Sequence, residues 1–334
     1  MKSANKQRRS FVLGAVAAAC LSASYIATAA TAVQEYPSRM VKFVVPFTPG
    51  SGTDISARAV AKKLEEITGQ TVIVDNRPGG NNIIGVQTVV KSPADGYTLF
   101  FGTNSPMAGN VAVYKKLPYD PVKDFAPVSL LSRQDWVITV SGRSPYKSVQ
   151  ELVAAANNTP GSVTAGAGAT GYNLAALTLA KNAGFQVTVV PYKGTPQAMQ
   201  DVIGGHVTYT VTDIASAKPY IDSGALRPLA VLTEKRSPMV PNVPSLKEAG
   251  LESINLFSWA GVFAPAGTPQ AVIDKLSALV GTALADAEVR KYYASIGADV
   301  LAGGPADLRD FQQKDIDNYR WLMQRTGFKP IALQ

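Results

Sequence analysis

The sequence predicts an α/β protein of two lobes, each a mainly parallel sheet flanked by helices, with two strands crossing between them. Three observations carry this prediction. The chain has 334 residues, beyond the roughly 100–200 that a single core usually organises. From Met40 onward, short apolar runs alternate with amphipathic stretches, the pattern of repeated β–α units. The series occurs twice, before and after a long apolar stretch from Val128 to Val140. With 46% hydrophobic and 17% charged residues, 28 Gly and 22 Pro, the composition is that of a loop-rich globular protein.

The first series opens with a strand at Val41 to Pro46, a turn at Pro49 to Asp54, and a helix at Ile55 to Thr68 that Gly69 ends. A strand at Thr71 to Val74, a loop at Asn76 to Asn81, a helix at Ile84 to Val90 and a strand at Tyr97 to Gly102 follow. The second series has helices at Val149 to Asn157, Tyr172 to Asn182, Pro196 to Ile203 and Ala215 to Ser223. Its strands are Val163 to Ala165, Val187 to Val190, Val207 to Val211 and Leu229 to Leu232. Phe257 to Phe263 reads as the return crossing. Helices complete the chain at Pro269 to Leu284, with Thr268 as N-cap, and at Pro305 to Met323. The lobes are expected at 33–135 with 255–334, and at 136–254; two linkers between lobes make a hinged clamp.

The N-terminus has the layout of an export signal: Lys2, Lys6, Arg8 and Arg9, an apolar run from Phe11 to about Ile26, then small residues. Cleavage is expected after Ala29 or Ala32, which makes residues 1–32 a signal peptide and places the protein in the periplasm. Arg8-Arg9-Ser10-Phe11-Val12 fits a twin-arginine leader as well as an ordinary one. Removing the leader lowers the net charge from +8 to +4, too little to argue for nucleic acid or anionic lipid. Cys20, the only cysteine, leaves with it. The mature chain has no thiol for a disulfide or a thiolate metal site, and one imidazole, His206, builds no histidine cluster.

Several stretches resemble the Bug family, the periplasmic binding subunits of tripartite tricarboxylate transporters. They are Pro46 to Asp54, Asn76 to Gly79, Pro93 to Leu99, Leu117 to Pro121, Pro191 to Gly194, Gly224 to Val231 and Ala264 to Pro269. The resemblance runs through nearly the whole mature chain. It implies a Venus-flytrap clamp in which loops at strand-to-helix turns of both lobes hold carboxylates with backbone amides and hydroxyls. By position these loops are Gly50 to Asp54 and Gly166 to Asn173. The chain departs from the family at Thr170-Gly171-Tyr172-Asn173, where Ser followed by His is common, and at Gly79-Gly80-Asn81-Asn82-Ile83.

The same loops stand on physical grounds. The first N–H groups of a helix lack internal partners and carry the positive end of its dipole, so a small-residue turn opening a helix cradles an anion. Gly50, Gly52, Gly166, Gly168 and Gly171, with Ala167 and Ala169, let the backbone approach; Ser51, Thr53 and Thr170 add hydroxyls. Phe47, Tyr172 and Tyr192 flank the loops, as walls for a carbon skeleton or, for Phe47 equally, as core. Asp213 either accepts from a ligand or N-caps the next helix, and Asp54 either faces the ligand or braces its own loop. Arg58, Arg77 and Arg227 are read as structural.

Enzyme readings lack their chemistry. Gly166 to Gly171 spells a dinucleotide fingerprint, but no acidic residue follows between Glu151 and Asp201. No Gly-x-Ser-x-Gly elbow or P-loop is present. The expected function is capture of a small di- or tricarboxylate, aromatic acids included, for the permease subunits of a tripartite transporter, by a monomer with no cofactor, no metal and no nucleic-acid partner. A periplasmic sensor subunit docking on a signalling kinase is the alternative, and a carboxylate-metabolising enzyme a third.

Overall fold

The computed structural model describes residues 36–254 and 256–333. The signal-peptide region, its cleavage sites and Cys20 lie outside the described residues.

Among residues 40–333 the two β–α series form two sheets that share one strand. In the first sheet β1 (Val41–Val45) pairs in parallel with β2 (Val72–Asn76) and β3 (Thr98–Thr103). Helix α1 (Gly52–Thr68) follows β1, and α2 (Ile83–Val90) follows β2. Beyond β3 runs antiparallel β9 (Phe257–Pro265), then the N-terminal part of β4 (Phe125–Ser141), then β10 (Ala298–Gly303). In the second sheet β5 (Thr164–Ala167) pairs in parallel with β6 (Thr188–Pro191) and β7 (Tyr209–Asp213). The C-terminal part of β4 adds to β7, and β8 (Leu226–Val231) adds to β4. Each sheet is thus a parallel trio extended by antiparallel strands.

Strand β4 carries the chain across. It pairs with β9 up to Asp135, opposite Phe257, and with β7 from Trp136, opposite Asp213. The return follows β8 and enters the first sheet as β9. At this junction the Trp136 indole N–H donates to Ser258 Oγ at 2.6 Å.

Helices α4 (Val149–Asn158), α5 (Thr170–Ala183), α6 (Thr195–Gly204) and α7 (Ile214–Asp222) belong to the second series. Helix α8 (Gln270–Ala285), α9 (Ala287–Ser295) and α10 (Pro305–Thr326) complete the chain. Tyr319, Leu322 and Met323 of α10 enter the same apolar cluster as Trp136, Tyr172 and Leu174. This anchors the C-terminal helix across the strand junction.

Three local expectations change. Helix α1 begins at Gly52, capped by the Ser51 hydroxyl, so the turn read at Pro49 to Asp54 is half helix. Helix α8 takes Pro269 as its N-cap, while the Thr268 hydroxyl donates to the Pro265 carbonyl at 2.8 Å. Helix α7 ends at Asp222 with Ser223 as its C-cap, one residue short of the expected end. Neither the π-helical turn Ser105–Gly109 and α3 (Asn110–Val113) nor α9 and β10 stand out in the periodicity, being short or exposed. No helix among the described residues is long and apolar enough to cross a membrane.

Candidate functional site

The loops that leave the carboxyl ends of β1, β2 and β3 face those that leave β5, β6 and β7. In open α/β sheets this is where ligands bind. The Gly52 N–H donates to Ser216 Oγ at 2.9 Å, and the Gly171 N–H to Ser105 Oγ at 3.3 Å. The Thr170 hydroxyl donates to Asn110 Oδ1 at 2.7 Å. Each lobe therefore presents the start of a helix to a hydroxyl of the other. Gly194 packs against Thr48 so closely that a Cβ on it would lie 2.5 Å from Thr48 Oγ1.

In the first lobe Asp54 braces its own loop. It accepts from the Gly50 N–H at 3.0 Å, the Asn76 amide at 3.0 Å and Arg58 Nε at 3.1 Å. Burial pushes its carboxyl up, but the Arg58 guanidinium and the other two donors outweigh that and hold it below the usual range. Ser51 spends its hydroxyl oxygen on the Asp54 N–H. Thr53 lies half-buried in the first turn of α1, and Phe47 is buried with its carbonyl accepting from Asn76.

In the second lobe Asp213 serves as N-cap of α7, its Oδ1 accepting from the Ser216 N–H at 2.8 Å. Its Oδ2 accepts from the Tyr172 hydroxyl at 3.0 Å. Burial and then the Asp213 carboxylate push the Tyr172 phenol well up, which keeps it a donor. The Tyr172 ring packs edge-on against Trp136, centroids 4.7 Å apart. Both groups are engaged within their own lobe, and Gly52 presses against the Asp213 carboxylate from across the cleft. Asp54 thus braces its loop and Asp213 caps α7, each of their carboxyl oxygens already hydrogen-bonded.

The open space lies to one side of this contact. A chamber of about 240 Å³ is lined by Gly79, Gly80, Asn81, Asn82, Gly168, Pro191, Tyr192 and Lys193. A second, of about 460 Å³, shares Gly80, Asn81 and Pro191 with it. From the predicted set, Ala167, Gly168, Ala169, Thr170 and Tyr192 line these chambers; Phe47, Gly50 to Asp54, Gly166, Gly171, Tyr172 and Asp213 do not. A further groove of about 360 Å³, between α1 and α9 at Arg58, Lys62 and Tyr292, shares no lining residue with these chambers.

The residues that sequence reasoning leaves out are Gly79 to Asn82, Tyr114 and Lys193, while Asn173, the end of the expected second loop, lines the larger chamber. Their signal is conformational. Gly79, Gly80, Asn81 and Asn82 follow one another with φ of 112°, 55°, 51° and 76°, a left-handed run that only Gly and, at a cost, Asn adopt readily. Such strain gathers at functional sites. The run is held by Asn81 on the Tyr114 hydroxyl, by Asn110 Nδ2 on the Asn81 carbonyl at 2.9 Å, and by Asn82 Nδ2 on the Pro46 carbonyl at 2.8 Å.

Residues 56–328 match the model of the tripartite tricarboxylate transporter family receptor. The chain belongs to this family. Among solved structures, Rpa4515 of R. palustris with adipate superposes with a TM-score of 0.86 at 34% identity, covering 89% of this chain and 100% of that one. Periplasmic binding protein BugD gives 0.84 at 29%, covering 89% and 100%. MatC from Rhodopseudomonas palustris with bound malate gives 0.82 at 30%, covering 86% and 99%. The chain is a two-lobed periplasmic solute-binding protein of this receptor family, and not an enzyme.

Family membership agrees with where the charged side chains sit. His206 is exposed in the turn before β7. Arg227 spends its guanidinium on the carbonyls of Gly142, Ser144 and Tyr146. Arg77 pairs with Asp75 and Arg58 with Asp54. None of these arginines lines either chamber. Arg58→Ala and Arg77→Ala are expected to change ligand affinity by less than about tenfold, since neither guanidinium lines a chamber and Asp54 keeps its Gly50 and Asn76 donors without Arg58. Calorimetry on the two variants checks this.

Proposed function

We propose that the chain captures a small organic carboxylate between its lobes and delivers it to the membrane permease subunits of a tripartite tricarboxylate transporter. The observation that carries the reading is the meeting of small-residue loops from both sheets around two chambers reached by a single cation, Lys193. Recognition then falls to backbone N–H groups and hydroxyls at helix starts, which favour an anion without a fixed countercharge. Gly79 to Asn82, Ala167 to Thr170 and Tyr192 line the ligand. Phe47, Gly50 to Asp54, Gly171, Tyr172 and Asp213 form the framework that closes on it. Adipate and malate, bound by two relatives, belong to the ligand class.

In this reading residues 1–32 are a signal peptide removed on export, and the mature protein acts in the periplasm as a monomer without a cofactor. Residues 33–135 and 255–334 move as one lobe and 136–254 as the other, about β4 at Asp135 and the start of β9. Thermal-shift screening of organic acids tests the function. At least one acid is expected to raise the melting temperature and, in solution scattering, to shrink the radius of gyration by closure. A panel of mono-, di- and tricarboxylates that leaves both unchanged would sink it.

A further inference from the structure

The two chambers differ in chemistry. The smaller one meets Lys193, the one cationic side chain that reaches either, and no charged side chain lines the larger one. A carboxylate is therefore compensated at one end only, and a second one placed in the larger chamber would be desolvated without a partner.

Asn82 adds a second constraint on the head. It is 5% exposed, its Nδ2 donates to the Pro46 carbonyl, and its Oδ1 has no hydrogen-bond partner. Turning the amide over would set oxygen against oxygen at Pro46, so the orientation is fixed. A buried acceptor without a donor costs free energy that a ligand O–H or N–H recovers. An ammonium is disfavoured, because no carboxylate lines the chamber and Asp54 and Asp213 are engaged elsewhere.

The larger chamber is apolar where it opens. Ile84, Ile331 and Leu333 line it and are three of the nine exposed large apolar side chains among the described residues. Ile331 is pinned there, its N–H donating to the Val113 carbonyl at 2.9 Å and its carbonyl accepting from the Lys115 N–H at 3.0 Å. The C-terminal segment is thereby a fixed wall of the cavity, and about 460 Å³ accommodates a six-membered ring.

We infer that the ligand is a 2-hydroxy monocarboxylate bearing an apolar, ring-sized substituent. Its carboxylate lies at the Gly79–Asn82 and Gly168 backbone near Lys193, its 2-hydroxyl donates to Asn82 Oδ1, and its substituent fills the larger chamber. This rests on the carboxylate-capture reading. Calorimetry on the mature chain with mandelate, phenylacetate, lactate, malate and adipate tests it. Mandelate is expected to bind tightest, with phenylacetate, which lacks the hydroxyl, and malate, which adds a charge, each at least tenfold weaker. Val189→Trp, which fills the larger chamber, is expected to weaken mandelate at least tenfold and leave lactate within threefold. Malate or adipate binding more tightly than mandelate overturns this inference and leaves carboxylate capture standing. Phenylacetate matching mandelate overturns the hydroxyl contact. No binding by any of the five acids, or by a wider acid panel, overturns both.

Discussion

Gly52→Ala is expected to lose about a hundredfold in ligand affinity while melting within about 3 °C of the parent, a shift worth roughly 1 kcal/mol at this size. Gly52 opens α1 with ordinary helical geometry, so alanine suits its own lobe. Across the cleft there is no room. A Cβ would stand 2.8 Å from Asp213 Cγ, besides pressing on the Asp213 carboxylate oxygen, whereas the close neighbour in its own lobe is Gln134 Oε1 at 2.9 Å, the far end of a side chain that can give way. Asp213 cannot withdraw cheaply, because it caps α7 and holds the Tyr172 hydroxyl. Overpacking of this kind costs up to about 3 kcal/mol, occasionally more. Charged to the closed state alone, that cost lowers affinity about a hundredfold. Gly168→Ala is the contrast. Its Cβ would meet backbone of the same lobe, 2.5 Å from the Gly194 carbonyl carbon and 2.8 Å from Thr195 Cα, so it is expected to lower stability as well. Calorimetry with any acid that binds the parent, together with melting curves, separates the two. Unchanged affinity in Gly52→Ala would show that the Gly52–Asp213 apposition is no part of the bound state.

That apposition marks the limit of what the sequence discloses. Local chemistry is legible. Gly69, read as the end of the first helix, closes α1 in the left-handed conformation. The alternation of apolar runs gives both parallel trios because their inner strands β1, β3, β5 and β7 are largely buried, while the edge strands β2 and β6 are only partly so. Asp54 as a brace follows from electrostatics alone, since a bare carboxylate repels an anionic ligand.

What escapes the sequence is pairing over distance and conformation. Gly52 meets Ser216, and Thr170 meets Asn110, only after both sheets have formed around β4. The Gly50 to Asp54 turn therefore looks like the first-lobe cradle, although the chambers lie beside the Gly79 to Asn82 loop. That loop is visible in the sequence as a run of Gly and Asn. Its four left-handed residues are not, because each of them also fits an ordinary turn. Ile331 and Leu333 give no signal either. Nothing in their spacing says that the C-terminus returns to Val113 and Lys115.

Asp315→Asn is expected to stabilise the protein at pH 8 and to leave it unchanged at pH 4. Asp315 lies on α10 in a groove with Phe257, Phe311, Lys314 and Arg325, and accepts from the Trp259 indole N–H at 2.7 Å. Loss of solvation pushes its carboxyl up to about 7, against the opposing pull of that hydrogen bond. The folded chain therefore holds a proton that the unfolded chain gives up near pH 4. Between pH 4 and 7 the folded state binds more protons, so stability falls as pH rises and levels off above 7. Three pKa units correspond to about 4 kcal/mol; because the side chain keeps part of its exposure, solvent screening reduces the expected effect to about 2 kcal/mol. Asparagine is a neutral isostere that keeps an acceptor for Trp259 and carries no charge to desolvate. Its melting temperature should exceed the parent's by several degrees at pH 8 and match it at pH 4, as about 2 kcal/mol implies. Equal melting temperatures at pH 8, with both proteins folded by circular dichroism, would show that Asp315 ionises without penalty and that α10 places no pH-sensitive group beneath the return strand.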